Sequence, residues 1–208
     1  MYPSPTVPIH VVEHNRGYGF AVVGATGTMA PALAANSLVF ALYCGQQPST
    51  QASQQSRVYV DRLRLAFTTI AAFTAAITPG RSLGVYRATA GAGHALPIGG
   101  AALGIAKKNS GAPSSVASAY IATTALLTPG TIVREPNPIA MLDLVAAGAA
   151  GALRELVFEL AAPMNAPIDI GPDELLVIAN PVPMDAGGTW QLAVDECHWI
   201  EALASAMS

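Results

Sequence analysis

The side chains that could ligate a metal or act as a nucleophile include four histidines and two cysteines. His10 and His14 are four residues apart, a spacing that suits a zinc pair only on a helix. Pro8 and the β-branched residues between the two histidines instead predict an extended segment, in which the imidazoles lie roughly 13 Å apart. We therefore expect no metal site.

Cys197 and His198 are neighbours, and neighbours on a strand point to opposite faces. They therefore cannot form a nucleophile–base pair there, and we expect a buried thiol beside an exposed imidazole. The acidic pairs Asp173-Glu174 and Asp195-Glu196 fall at turns or strand ends, where carboxylates are common because they are solvated. The chain has neither a Gly-x-Ser-x-Gly elbow nor a phosphate-binding glycine loop. We predict no catalytic residue, no cofactor and no enzymatic activity.

Composition points toward an assembled protein. Only 11% of the residues are charged while 52% are hydrophobic, against roughly 25% charged in ordinary domains. We expect other subunits to cover part of the surface.

The charges that exist are unevenly distributed. Through Arg134, nine Lys and Arg stand against two acids, a net +7; from Glu135 onward, one arginine stands against eleven acids, a net −10. The two halves are expected either to pair within one sandwich or to meet across a subunit interface.

Two classes of partner are not expected. The net charge is −3 and the largest basic clusters are Arg62/Arg64 and Lys107-Lys108, too little for a nucleic-acid footprint. The uncharged run Ala88 to Ala106 contains several glycines and Pro97, so we interpret it as a long loop and not as a membrane helix. The first residues lack the pattern of a signal peptide.

Short apolar runs separated by Gly/Pro turns predict an all-β, jelly-roll-like antiparallel β-sandwich over residues 17–208. In the run from Val58 to Phe67, apolar side chains alternate with Arg62 and Arg64, as in a half-buried strand. Residues 175–180 and 189–195 are predicted to form a terminal antiparallel pair. The other predicted strands are 18–23, 38–44, 70–77, 83–87, 121–127 and 156–160, whereas Ile139 to Leu153 fits helix or strand.

Residues 1–16 carry three prolines and no core pattern, which predicts an extended N-terminal arm that becomes ordered on a neighbour. Arg62 and Arg64 are either solvent-facing charges or partners for the acidic half of another subunit. The candidate interface residues are Ile9, Val11, Val12, His14, Arg16, Arg62 and Arg64.

Several stretches, taken in their order and spacing, resemble small structural proteins of tailed bacteriophages. The resemblance extends over about residues 20–200, and no catalytic residue comes with it. The stretches that carry it are 60–64, 67–75, 86–90, 107–108, 121–126, 173–181 and 188–194.

The resemblance implies a virion protein made in the host cytoplasm, and first a capsid decoration (cement) protein on the capsid exterior. Such a protein would be a homotrimer that bridges subunits of the major capsid protein. A tail or fibre-tip, receptor-binding component is the alternative. A jelly-roll carbohydrate-binding module or enzyme is a third reading.

Overall fold

The computed structural model describes residues 19–29, 33–45, 56–71, 82–90, 100–123, 126–127, 132–143, 154–161, 167–184 and 188–203. These residues form strands and connections without a helix. The arm at 1–16, the predicted strand 70–77 beyond Ala71, and residues 144–153 of the ambiguous segment lie outside the described ranges.

The strands form two antiparallel sheets that pack face to face, which confirms the predicted all-β antiparallel sandwich. Their bounds are β1 Gly19–Ala25, β2 Leu38–Cys44, β3 Ser56–Ala71, β4 Ser82–Thr89, β5 Ala101–Ala102, β6 Ala106–Lys107, β7 Ala117–Ile121, β8 Val133–Arg134, β9 Ala140–Asp143, β10 Arg154–Ala161, β11 Ile168–Ile170, β12 Glu174–Ala179 and β13 Thr189–Leu203.

The first sheet has the order β10-β3-β13-β1-β6, with β11 also on β3. The second has the order β5-β7-β2-β12-β4-β8, with β9 also on β4. The basic and acidic halves of the chain are thereby interleaved: β1 pairs with β13, β2 with β12, β3 with β10, and β4 with β9. Of the two possibilities left open for the charge asymmetry, pairing within one sandwich is the one seen in the described residues.

Burial follows the alternation expected of strands. Leu63, Leu65 and Phe67 of β3 are buried, whereas Arg62 and Arg64 are exposed. All seven residues of β2, which lies between β7 and β12, are buried. Burying one large apolar side chain stabilises the fold by roughly 1.5–3 kcal/mol, and β2, β3, β12 and β13 supply much of the core.

Three sequence predictions need correction. Residues 175–180 and 189–195 are strands, but they do not pair with each other: β12 lies in one sheet and β13 in the other, because the chain crosses between sheets after Asn180. The strand predicted at 121–127 is β7, which ends where that prediction begins, at Ile121. The predicted loop 88–106 contains β5 and the first residue of β6. In the ambiguous segment, Ala140–Asp143 is strand β9.

A buried amide ties two loops together at one end of the sandwich. The Asn180 side chain is fully buried; its Oδ1 accepts from Ser37 N at 2.9 Å, and its Nδ2 donates to Ala34 O at 2.8 Å and Val182 O at 2.9 Å. One side chain therefore satisfies three backbone groups of loops far apart in sequence, as buried polar groups require.

Candidate functional site

The predicted interface residues divide into two sets. Ile9, Val11, Val12, His14 and Arg16 lie outside the described residues. Arg62 and Arg64 are described, and both side chains project from the outer face of β3.

Arg62 faces an acid of its own chain. Its Nη1 lies 3.7 Å from Glu196 Oε1 on β13, with side-chain exposures of 63% and 34%. Arg64 stands in register with Glu159 of β10 on one side and Glu196 on the other. Exposed pairs of this kind contribute about 1 kcal/mol at most. The outer face of this sheet is therefore a mixed-charge surface in which the two halves of the chain meet.

A histidine–carboxylate pair lies beside these arginines. His198 Nδ1 is 2.5 Å from Asp61 Oδ1, and His198 is only 4% exposed, so the expected exposed imidazole is wrong. The pair lies at a β-bulge: His198 faces Arg62 and Trp199 faces Val60, so Asp61 is the extra residue on β3. The sequence pattern gave no sign of this bulge.

Cys44 and Cys197 are both buried thiols, which confirms the expectation for Cys197. Burial, aided by the nearby Glu201 carboxylate, raises the pKa of the Cys44 thiol to about 12. Burial also raises the pKa of Cys197, which is fully buried in the core. A raised pKa keeps the protonated thiol, which is neither a nucleophile nor a metal ligand. His198 and Cys197 occupy opposite faces of β13, as their adjacency predicts.

Carboxylates at one end of the sandwich support turns. Asp169 receives two hydrogen bonds from Arg57, at 2.9 and 2.7 Å. Asp173 adopts a positive φ of 63° and accepts from Tyr43 Oη at 2.8 Å. Glu174 Oε2 accepts from Gly171 N at 2.5 Å. Asp173 and Glu174 thus hold the connection between β11 and β12 in place, and Asp169 ties β11 to β3.

An exposed apolar surface lies along the edge of the second sheet, where β8 and β9 run beside β4. Ile139 is 41% and Met141 44% exposed. Met141 and Arg134 stand opposite Gly84 and Ala88, on the face of β4 that carries Tyr86. We call Ile139, Met141 and Arg134 the edge patch.

The edge patch is built on a rigid support. The Tyr86 ring lies flat over Gly84, where a Cβ would come within 2.3 Å of it. Arg134 lies over that ring, 3.9 Å from its centroid, and donates to Asn36 Oδ1 at 2.6 Å. Tyr86 Oη contacts Met141 Sδ at 3.8 Å. The Arg134 side chain is therefore held in place by contacts within its own chain.

Sequence reasoning missed the edge patch because no strand pattern marks the sequence around Arg134. The one feature of the sequence that indicated the patch was Gly84. It lies two residues before Tyr86, on the same face of β4, and having no Cβ it leaves room for the ring. Tyr, Arg and Met are enriched at the centres of protein interfaces. The arrangement suits a contact surface.

Across the described ranges, no group of three or more His, Cys, Asp or Glu side chains is placed to hold a metal ion. Nor does that part of the chain contain a helix long and apolar enough to cross a membrane. Comparisons of the chain with protein-family models, with curated proteins and with solved structures found no match.

Proposed function

We propose that this chain is a structural protein of a tailed-phage virion, a capsid decoration protein that bridges coat subunits. The observation that carries the proposal is the edge patch: exposed apolar side chains beside an arginine held in place by a ring and an amide. In a virion, this surface would be covered by coat protein.

We further propose that the sandwich is a jelly roll. A jelly roll results when an eight-stranded antiparallel hairpin wraps so that its first strand pairs with its last and its second with its seventh. The pairings of β1 with β13, β2 with β12, β3 with β10 and β4 with β9 support that topology. The remaining strands are short additions at the edges or, like β7, extend the second sheet.

The proposed mechanism is mechanical. A homotrimer places three edge patches and three N-terminal arms against adjacent coat subunits, and each arm adds a strand to a neighbour's sheet. Several modest contacts on one trimer act together, so the avidity exceeds the affinity of any single contact.

The experiment measures binding to capsids that lack the protein, by cosedimentation. Met141→Asp places a charge in the edge patch and should weaken binding at least about tenfold, since desolvating that charge costs more than 1.4 kcal/mol. Val23→Asp is the matched control, because Val23 is 64% exposed but lies on the other sheet; its binding should stay within about twofold.

Removal of residues 1–16 should leave a folded body that no longer binds capsids. The expected mass of the full chain by light scattering is that of a trimer. Unchanged capsid binding by both the truncated protein and Met141→Asp would overturn the proposal.

A further inference from the structure

Arg134, the cation of the edge patch, is fixed in position by two contacts within its own chain. Its guanidinium lies over the Tyr86 ring, 3.9 Å from the centroid, and its Nη2 donates to Asn36 Oδ1 at 2.6 Å. Asn36 is itself held, because its backbone N–H donates to Asn180 O at 2.7 Å. A ring face and an anchored amide therefore set the place of this positive charge.

Most of the hydrogen-bonding capacity of Arg134 remains for a partner. A guanidinium carries five N–H donors, and the Asn36 amide accepts from one of its nitrogens. Within the described ranges no carboxylate lies at ion-pair distance from Arg134, whereas Arg57 and Arg62 each have one. Even the adjacent Glu135, an exposed residue, forms no ion pair with it. The charge of Arg134 is thus not neutralised by the part of the chain that the structure describes.

The apolar part of the edge patch rests on the same ring. Tyr86 Oη contacts Met141 Sδ at 3.8 Å, so Met141 and Arg134 are both supported by Tyr86. A partner surface that covers Met141 therefore takes Arg134 out of water as well.

Covering a guanidinium without a counter-charge is unfavourable. Removing an unpaired charge from water costs far more free energy than one or two buried apolar side chains return. A carboxylate offsets that cost best, because it accepts two parallel N–H bonds in the plane of the guanidinium. A backbone carbonyl accepts hydrogen bonds but leaves the charge uncompensated.

We propose that the edge patch recognises an acidic–apolar segment of the coat protein. In this complex a carboxylate of the coat protein pairs with Arg134, and an apolar side chain beside it packs on Met141 and Ile139. The inference rests on the proposed function and names the chemistry of the partner surface.

The test is cosedimentation of the full chain with capsids that lack the protein, at about 50 mM and about 500 mM NaCl. Arg134→Gln removes the charge and should weaken binding at least about tenfold at the lower salt concentration. Arg134→Lys keeps the charge without the two-point contact, so its affinity should lie between those of the other two proteins. Higher salt should weaken the binding of the unmodified chain more than that of Arg134→Gln, because salt screens the ion pair.

Lys108→Gln is the control, because it removes one exposed positive charge beside β1 of the other sheet. It should bind within about twofold of the unmodified chain at both salt concentrations. Urea unfolding checks that each variant is folded.

Equal binding by Arg134→Gln and the unmodified chain would overturn the carboxylate partner. Binding of the unmodified chain that salt leaves unchanged would also overturn it, since a neutral acceptor would then suffice. If Met141→Asp weakens binding in the same assay while Arg134→Gln does not, the proposed virion function stands and this inference alone fails. No binding by the unmodified chain at either salt concentration would overturn both.

Discussion

Arg57 and Asp169 form a two-point ion pair, Nε to Oδ1 at 2.9 Å and Nη2 to Oδ2 at 2.7 Å, that joins the basic half of the chain to the acidic half. Arg57 is the second residue of the long strand β3, and Asp169 lies on β11, which pairs with β3. The pair raises the pKa of Arg57, chiefly through the hydrogen bond that Arg57 donates to Asp169. The charge asymmetry along the sequence therefore becomes charge pairing within one sandwich.

Arg57→Lys should lower the free energy of unfolding by about 0.5–1 kcal/mol, because lysine cannot make the two-point contact and about a third of each side chain is exposed. Urea unfolding measures the change. Arg64→Lys, on the exposed face of the same strand, should change stability by about 0.3 kcal/mol or less. Equal losses in the two variants would show that the two-point contact of the Arg57 guanidinium contributes nothing to stability.

Asn180→Ala should lower the free energy of unfolding by about 2–4 kcal/mol, because Ser37 N and the carbonyls of Ala34 and Val182 lose a buried partner. Thermal and urea unfolding both report it. Asn109 bonds Gly111 N in an exposed turn, so Asn109→Ala is the matched control and should cost about 0.5 kcal/mol or less. A small loss at Asn180 would contradict its role as the tie between the two loops.

Gly84→Ala should destabilise the protein by about 1–3 kcal/mol, because the new methyl group displaces the Tyr86 ring from under Arg134. The control is Gly104→Ala, since a Cβ at Gly104 would meet nothing within 4 Å. A crystal structure or Tyr86 ring NMR signals would follow the displacement. If the Tyr86 ring does not move and the stability is unchanged, the ring does not support Arg134 in the way described.

The free energy of unfolding should fall as pH rises above about 9, close to the ordinary pKa of a cysteine thiol. Burial raises the pKa of Cys44 to about 12 and raises that of Cys197 as well. In this pH window the folded chain keeps both thiol protons while the unfolded chain loses them, so rising pH favours unfolding. The slope is up to about 1.4 kcal/mol per pH unit for each thiol.

Urea unfolding between pH 8 and 11 measures that slope. The matched comparison is the double variant Cys44→Ala/Cys197→Ala, whose overall stability is lower but whose pH dependence should be shallower. Identical slopes in the two proteins would show that the thiols do not carry the effect.

The fold class was predictable from the sequence because apolar and polar residues alternate along strands such as β3. In that strand, Leu63 and Leu65 alternate with Arg62 and Arg64. It did not predict which strands pair. Residues 175–180 and 189–195 are close in sequence with a turn between them, so local pattern favoured a hairpin. Their separation into two sheets is set by contacts with β2 and β3, which lie far away in the chain.

The same limit applies to the sites. His198 meets Asp61 at a bulge, and a one-residue register change leaves no periodic signal. Tyr86 and Arg134 meet only because β8 aligns with β4. The burial of Cys44 was predictable from the apolar run Leu38–Tyr43 that precedes it, whereas Cys197 is flanked by Glu196 and His198 and has no such run around it.

The most direct test of the proposed decoration function is antibody labelling, imaged by electron microscopy, of tailed-phage particles produced by a host that expresses this chain. Label spread over the head in many symmetric positions is the predicted result, since a decoration protein occupies every equivalent site of the shell. Label confined to the tail or its tip, or no label on the virion, would contradict it.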